Sequence, residues 1–357
     1  MHKLLLVLLG LFPFLSAWSS TWTPEQEPAL QNAQNSQSAS ITPTPLQHWD
    51  IFADLLYWHA GEVGTIPNVT LSTKSDPGLV TKLNLNNMDF GWDFGFRAGG
   101  RYHNLGDNQW GISLFYTWFQ AKAKKSGAYD GFVGIPPGFP LTGTITDADF
   151  LNLIWLFAAQ KYHARWVLHF NVIDFQLDHQ FAATETITLR PFLGLKSSWI
   201  NQDIHIHSTY HDIFEHNLPV FAREKLTNHF WGLGPSLGIN TKWCLGQAGD
   251  HLFYLFGDLS GAFLWSIWKN TDHLKIGETI AGTLKTKHRK SGSLMFQNLL
   301  GFEWSVKVSQ RGTTLSLRAG YEMQFWFDNL QVFNAFNGRQ HNALTLQGGT
   351  FDLLFSF

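Results

Sequence analysis

The sequence predicts an all-β protein, an antiparallel transmembrane β-barrel, and three observations support this prediction. Apolar and polar residues alternate over segments of about 11–17 residues, whereas globular strands usually have about 5–6 residues. Aromatic and charged residues each make up 15% of the 357 residues, yet the mean hydropathy is only -0.10. The last segment alternates up to a terminal phenylalanine. Two opposite surfaces, interleaved residue by residue, explain a chain that is rich in aromatics but not apolar on average.

The N-terminal 17 residues are predicted to be a secretory signal peptide. Lys3 supplies positive charge, an apolar run covers Leu4–Leu15, and Ala17 offers a small residue for cleavage. The run is too short to cross a bilayer as a helix. Residues 18–47 are rich in Gln, Ser, Thr, Pro and Asn, which indicates a flexible polar linker. The barrel is therefore expected to comprise residues 48–357.

The segment Met88–Tyr102 shows the alternation most clearly. Its even positions are apolar or glycine, and its odd positions carry only Gly, Asp and Arg. Successive side chains of a strand point to opposite faces, so one face suits lipid and the other water. Further strands are expected at 48–58, 108–120, 166–178, 187–199, 231–243, 252–268, 294–308, 315–327 and 351–357. If 148–160, which also fits a helical stripe, does not cross, the barrel has ten strands; if it crosses, an even count requires another short strand near 139–147, which gives twelve. We expect about 12 strands, within a range of 10–16.

Aromatic residues near the strand ends distinguish this barrel from a soluble β-sandwich, whose apolar face points inward. A membrane barrel carries aromatic girdles at both interfaces. The candidates are Trp92, Tyr102, Trp110, Trp118, Trp231, Trp243 and Trp304.

The linkers predict the orientation of the barrel. Short linkers are expected at 103–107, 244–251 and 309–312, and long ones at 59–87, 121–147, 204–227, 269–290 and 328–343. Barrels of bacterial outer membranes have short periplasmic turns and long external loops. The sequence therefore predicts a multi-pass protein of the bacterial outer membrane, with its N-terminus in the periplasm.

The final strand resembles the closing strand of bacterial outer-membrane barrels. Its alternating apolar residues are Phe351, Leu353, Phe355 and Phe357. This resemblance implies a signal for the barrel-assembly machinery.

Other segments resemble the chlamydial-type major outer membrane protein (MOMP-like) pore-forming family, including its Legionella relatives. They are Phe52–Trp58, Trp166–Leu177, Leu189–Leu195 and Trp199–Gln202. The resemblance spans about residues 48–357 and implies an outer-membrane porin. Chlamydial members are cysteine-rich, whereas Cys244 is the single cysteine here, so a disulfide-linked envelope role is not expected.

Charged residues on the polar strand faces are the candidates for lining a pore. They are Asp89, Asp93, Arg97, Arg101, Arg190, Lys196, Glu303, Arg318 and Glu322. Such side chains either bias ion selectivity in a water-filled pore or pair with one another across the lumen wall, and the two interpretations are compatible.

Other chemistry finds little support. His205 and His207 share a strand face and are weak candidates for a metal site, the alternative being a polar external loop. No catalytic or cofactor motif is recognised, so neither an enzyme nor a cofactor is expected. Lys and Arg total 25 against 27 Asp and Glu, so no nucleic acid is expected as a partner.

The sequence thus predicts a porin for passive diffusion of small hydrophilic solutes and ions. The alternative is a closed barrel that acts as a surface antigen or adhesin through its loops. Outer-membrane lipid is the expected surrounding, and a homo-oligomer is left open.

Overall fold

The computed structural model describes residues 49–63, 68–73, 80–86, 89–103, 109–128, 157–212, 219–309, 312–334 and 338–357. The predicted signal peptide and linker lie outside the described residues. The strands are β1 (Trp49–Val63), β2 (Asn68–Thr73), β3 (Val80–Asn86), β4 (Trp92–Tyr102), β5 (Trp110–Ala128), β6 (Phe157–His179), β7 (Phe181–Ala182), β8 (Ile187–Asp212), β9 (Pro219–Ala248), β10 (His251–Ile276), β11 (Thr279–Lys307), β12 (Thr314–Asn334) and β13 (Gly338–Ser356). Among the described residues, no helix is long and apolar enough to cross a membrane.

Within these ranges, ten strands close into one antiparallel wall. Their order is β6-β5-β4-β1-β13-β12-β11-β10-β9-β8, and β8 pairs again with β6. Closure leaves no unpaired strand edge, which is the requirement for a sheet in lipid. The strands β2 and β3 form a two-stranded sheet of their own, and β7 pairs with β8. The predicted antiparallel barrel is confirmed: ten strands form the wall, β2 and β3 lie outside it, and the two-residue β7 adds a short pairing to β8.

The ambiguous segment 148–160 contributes to a strand that was already expected. Residues 157–160 begin β6, and the rest of the segment lies outside the described residues. Its described part therefore belongs to the strand over 166–178 and does not make a separate crossing.

The two ends of the barrel differ in their connections. At one end of the barrel the first strand of the wall begins and the last strand finishes, and there the backbones of Trp49 and Phe357 exchange two hydrogen bonds of 2.9 Å. We call this the terminal end. Its connections are 103–109, 180–186, 249–250 and 308–313, all short. At the opposite far end the strands run well beyond the segments of clear alternation. Outer-membrane barrels keep short turns in the periplasm, so the far end is the external one.

Three of the predicted long loops are largely paired strand. The segment 269–290 contains most of a hairpin whose connection is only Gly277 and Glu278, with Gly277 at φ +60°. The segments 204–227 and 328–343 likewise consist mainly of the ends of β8, β9, β12 and β13. Where the side chains are described, the outer face of the extensions is polar, as at His205, His207, Arg223 and Lys225, so hydrophobic alternation is weak there although backbone pairing continues.

Large apolar side chains cover the outside of the wall. Phe94, Leu193, Leu237 and Phe302 are each more than 60% exposed, and their strand neighbours on either side point inward. A soluble protein rarely exposes an apolar surface of this extent. Lipid covers this face in the membrane.

Candidate functional site in the barrel lumen

The inward face of β1 shows how the lumen is divided. Starting from the terminal end, it presents Asp50 and Asp54, and then Leu56, Trp58 and Ala60, all buried. Most other strands follow the same order, with exceptions such as the buried Glu224 and Asn228 near the far end of β9. The lumen therefore has a polar half at the terminal end and an apolar half at the far end.

An arginine–carboxylate cluster forms the centre of the polar half. The Arg97 guanidinium donates from Nη2 to Glu322 Oε1 at 2.7 Å and from Nη1 to Glu322 Oε2 at 3.2 Å. Arg97 Nη1 also donates to Asp54 Oδ2 at 3.1 Å. Glu322 is fully buried and accepts further hydrogen bonds from the Gln297 and Gln324 amides, both at 2.8 Å. This fork geometry is the strong form of a charge-assisted hydrogen bond.

A second cluster surrounds Glu303, which is buried. Its carboxylate accepts a hydrogen bond from Lys242 Nζ at 2.6 Å and another from Arg318 Nε at 2.9 Å. Arg318 Nη1 lies 3.4 Å from Asp352 Oδ2. These contacts link β9, β11, β12 and β13 across the wall.

Two further ion pairs line the opposite wall. Lys196 Nζ lies 2.7 Å from Asp174 Oδ1, and Arg101 pairs with Asp178. In the polar half most cations thus face a carboxylate. The arrangement supports the interpretation in which the lumen charges neutralise one another across the wall.

A cavity of about 140 Å³ lies between these clusters. Since a buried water needs about 10–15 Å³ of such space, the cavity has room for about ten water molecules. Its ionisable lining is balanced, with five carboxyl groups and five cations. They are Asp50, Asp54, Asp174, Asp258, Asp352, Arg97, Arg101, Arg190, Lys196 and Arg318.

The apolar half is packed like the core of a soluble protein. We call its twelve largest fully buried side chains the apolar layer: Trp58, Trp268, Trp326, Phe119, Phe170, Phe230, Leu56, Leu168, Ile200, Leu264, Leu330 and Leu344. The rings of Phe170 and Trp326 meet edge to face at 5.3 Å between centroids, and those of Phe230 and Trp268 at 5.2 Å. The expectation that the inward face is polar along the whole strand is therefore wrong for the far half, because side chains in so narrow a barrel pack against one another.

A bulge in β12 crosses this apolar half. The pairing of β12 with β13 shifts between Trp326 and Leu330, and Asp328 has φ +54°. The bulge points the buried Asn329 into the lumen. Its carbonyl accepts hydrogen bonds from Trp268 Nε1 at 3.1 Å and from Asn228 Nδ2 at 3.2 Å, and its side-chain oxygen accepts one from Gln202 at 3.2 Å. These donors lie on β10, β9 and β8, so the bulge spans the lumen. The sequence reasoning missed it, although an Asp-Asn pair is a common signal of irregular backbone.

The predicted pore-lining residues occupy three places. Seven of them lie in the polar half of the lumen: Arg97, Arg101, Arg190, Lys196, Glu303, Arg318 and Glu322. Asp93 is on the inward face nearer the far end, and its carboxylate accepts a hydrogen bond from the Lys122 backbone at 3.2 Å. Asp89 is exposed outside the lumen and lies 2.9 Å from His59 Nε2.

The sequence reasoning also missed several lumen carboxylates. They are Asp50, Asp54, Asp174, Asp178, Asp258 and Asp352. Each occupies an alternate position in a segment that had been recognised as a strand. Extending the same alternation to those segments would have found them.

The predicted girdle residues all point outward and form two rows. Tyr102, Trp110, Trp243 and Trp304 lie near the terminal end, and Trp92, Trp118 and Trp231 towards the far end. Trp118 and Trp231 both align, through the strand register, with Trp199. Tyr102 and Trp92 are ten residues apart on β4, or about 33 Å along a strand and about 25 Å along the axis at a tilt of about 40°. That separation matches the apolar band of an outer-membrane barrel.

Not every tryptophan is a membrane anchor. Trp58, Trp268 and Trp326 belong to the apolar layer, and Trp166 is also buried. These four act as core residues of the lumen.

The weak metal candidates lie on the outside of β8. His205 is half-buried and His207 is exposed, and the two point outward beyond the far-end aromatic row. Over the part of the chain that the structure describes, no group of three or more His, Cys, Asp or Glu side chains could hold a metal ion. Cys244 is a half-buried free thiol.

A closed antiparallel wall, an apolar exterior and two aromatic rows define an integral β-barrel of the bacterial outer membrane. The family model described as Legionella pneumophila major outer membrane protein precursor matches residues 41–357. The chain therefore belongs to that family, as the sequence resemblance had suggested. No curated protein matches the chain.

Solved structures of other outer-membrane barrels resemble the fold at low sequence identity. The outer membrane protease OmpT from Escherichia coli is 10% identical, with a TM-score of 0.41, over 87% of this chain and 97% of that chain. A Pseudomonas aeruginosa FadL homologue is 10% identical, with a TM-score of 0.26, over 87% and 90%. The Pseudomonas putida toluene transporter TodX is 8% identical, with a TM-score of 0.26, over 87% and 89%.

Proposed function

We propose that the protein is a porin-type channel of low conductance for ions and small hydrophilic solutes, and that the apolar layer closes it in this conformation. The observation that carries the proposal is the polar half of the lumen. A barrel that serves only as an anchor could fill its interior with apolar side chains. This barrel instead places ten ionisable groups around a cavity of about 140 Å³, and six of them are buried, although removing charges from water is unfavourable.

The number of strands limits the solutes. Eight-stranded barrels are just wide enough for side chains to fill, whereas 16–18-stranded porins leave an aqueous channel. A wall of ten strands lies near the narrow end of this range. Because the cavity lining has equal numbers of carboxyl groups and cations, we expect little preference between K⁺ and Cl⁻.

The apolar layer provides the gate in this proposal. Apolar constrictions block ions by excluding water, and conduction resumes when they widen. The Asn329 bulge holds one side of the layer against β8, β9 and β10 through three hydrogen bonds. Opening requires these contacts to break.

A second candidate is a permanently sealed barrel that presents external segments as a surface antigen or adhesin. The observation that favours it is the tight packing of the apolar layer, whose twelve members are each less than 2% exposed. A sealed barrel and a gated channel share this structure at rest. They differ in whether the intact protein ever opens.

Planar-bilayer recording of the refolded protein separates the two candidates. We expect the wild type to show rare, small openings, and the double variant Trp268→Ala/Trp326→Ala to open more often and with larger current. The matched control is Trp265→Ala, because Trp265 is 59% exposed on the lipid side of the same strand as Trp268. It should behave like the wild type.

Folding of each sample is checked by its heat-modifiable migration on gels. Rare openings of the wild type that become more frequent in the double variant support a gate, whereas a folded wild type that stays silent while the double variant conducts favours the sealed barrel. Silence of both folded proteins over the accessible voltages would overturn the channel proposal in favour of the sealed barrel.

A further inference from the structure

Beyond the far-end aromatic row, basic side chains gather on the outer surface of the wall. One row across five adjacent strands contains Lys124, Arg165, His205, Lys225 and His273, each directly opposite the next. All five alternate with inward-pointing neighbours and therefore face outward. Lys124, Arg165 and Lys225 are exposed, and the two histidines are half-buried.

The next row outward repeats the pattern. It contains His163, His207, Arg223 and Lys275, again as direct cross-strand neighbours, and all four are exposed. We call these two rows together the basic face. It spans five strands, which is about 19 Å at about 4.8 Å per strand spacing.

The charges of the basic face are not balanced within the protein. Neither row contains a carboxylate, and the nearest outward acid on these strands is Asp203 in the adjacent row. Among the described residues, none of its five lysines and arginines forms an ion pair. Most cations of the lumen, by contrast, face carboxylates.

Like charges even lie directly opposite each other. Lys124 is the cross-strand partner of Arg165, and Arg223 that of Lys275. Such pairs destabilise a sheet unless an anion lies between them. The geometry suits phosphate, because two neighbouring cations can contact its oxygens together.

The height of the basic face identifies the source of the phosphate. Lys124, His205 and Lys225 each lie six residues from Trp118, Trp199 and Trp231, respectively. Six residues are about 20 Å along a strand, or about 15 Å along the membrane normal at a tilt of about 40°. Ordinary phospholipid headgroups occupy only about 5–8 Å on each side of the hydrocarbon. A larger headgroup is needed to reach this row.

We propose that the basic face binds the phosphate-bearing sugar headgroup of an outer-leaflet glycolipid. The lipid's acyl chains would lie against the apolar exterior of the same strands, β5, β6, β8, β9 and β10, so the binding surface continues the lipid face of the barrel. The proposal does not depend on whether the lumen conducts.

The test measures binding of lipid A with two phosphates to the barrel in a nonionic detergent, by native mass spectrometry. The variant Lys124→Gln/Arg165→Gln/Lys225→Gln removes three cations of one row. At about 1 kcal/mol per cation near an anionic surface, we expect about 100-fold weaker binding. The matched control, Lys124→Arg/Arg165→Lys/Lys225→Arg, keeps the charges and should bind within a few-fold of the wild type.

Three further probes identify the occupant. Dephosphorylated lipid A should bind the wild type and the glutamine variant equally weakly. Glucosamine 1,6-bisphosphate, which lacks acyl chains, should bind far more weakly than lipid A. Heparin, a soluble polyanion, should be displaced by lipid A.

Several results would overturn the proposal. One is a folded glutamine variant that binds lipid A like the wild type, and another is equal affinity for the dephosphorylated lipid. If the soluble sugar bisphosphate matches lipid A, or lipid A fails to displace heparin, the surface serves a soluble anion. If the triple variant does not fold, Arg223→Gln/Lys275→Gln, which relieves a like-charge pair, provides the same comparison in the second row.

Discussion

Removal of the Glu322 carboxylate should destabilise the barrel more than any exposed substitution. Glu322 is fully buried and accepts a two-point contact from Arg97, together with hydrogen bonds from Gln297, Gln324 and Thr350. After Glu322→Ala, Arg97 keeps the contact with Asp54 at 3.1 Å and the hydrogen bond from its Nε to Thr117 Oγ1 at 3.1 Å, but it loses its two-point ionic contact.

The magnitude follows from the loss of the main ionic partner of the buried Arg97 charge. Loss of one partner of a buried ion pair usually destabilises a protein by about 3–5 kcal/mol, whereas a typical neutral hydrogen bond contributes about 0.5–1.5 kcal/mol. We therefore expect Glu322→Ala to lower the free energy of unfolding by about 3–5 kcal/mol. Urea titration of the barrel in lipid vesicles, followed by tryptophan fluorescence, measures this change.

Two controls make the result specific. Glu278→Ala, in the exposed β10–β11 turn, should change stability by less than about 0.5 kcal/mol. The double variant Glu322→Gln/Arg97→Met removes both charges and should be more stable than Arg97→Met alone, since Asp54 loses Arg97 in both variants but only Arg97→Met also leaves the buried Glu322 carboxylate without its cation. A Glu322→Ala barrel as stable as the Glu278→Ala barrel would refute the reasoning.

Three other predictions concern the ends of the wall. Asp272 lies in the extension beyond the membrane, and burial raises its pKa from 3.8, the value in the unfolded chain, to about 6. The folded state therefore loses stability as the pH rises from about 4 to 6. Asp272→Asn should therefore raise the melting temperature at pH 7.5 but not at pH 4, as measured by circular dichroism. Burial and Arg223 lower the pKa of His207, and a bound lipid A phosphate should raise it. NMR titration of the imidazole measures this pKa, and an unchanged pKa on lipid A binding would argue against contact. Deletion of Phe357 removes its two hydrogen bonds with Trp49 and should slow barrel assembly in cells, which is measured as a smaller heat-modifiable fraction. Normal assembly would contradict the role of Phe357 as an assembly signal.

The fold could be predicted because lipid requires the outer surface of every crossing strand to be apolar. Every crossing strand must present apolar side chains at alternate positions, so segments such as Met88–Tyr102 and Leu315–Phe327 carry the signal whatever they pack against inside. The girdle residues were predicted from the same outer surface, since aromatic anchors occur where it meets the headgroups.

The ends of the strands could not be predicted in this way. Beyond the membrane, the outer face of β8 changes from Trp199 to Asn201, Asp203, His205 and His207, and hydrophobic alternation disappears. Backbone pairing, which the side-chain pattern no longer reports, carries the strand on to Asp212. The Gly277-Glu278 turn was the available signal, because glycine readily takes the positive φ of a tight hairpin.

The filling of the lumen depends on the number of strands, which the sequence did not specify. Trp166, Leu168, Phe170 and Val172 point inward on β6 and are buried. In a wide, water-filled barrel, apolar side chains at these positions would contact water, but in a wall of ten strands they meet residues of the opposite side. The same alternation is compatible with either outcome, so the apolar layer became visible only with the closed wall.

Charge position carries more information than net charge in this chain. The total of -2 combines a lumen in which Arg97, Lys196 and Arg318 face carboxylates with an outer face on which Lys124 and Arg165 face each other. Paired charges inside the wall are neutral to the surroundings and hold strands together. Unpaired charges outside it repel one another, and they become stabilising only when an anion is bound. The composition has no excess of basic residues and so excluded nucleic acid as a partner. It could not reveal that cations are concentrated on one external surface, because many of the carboxylates that balance the net charge lie in the lumen.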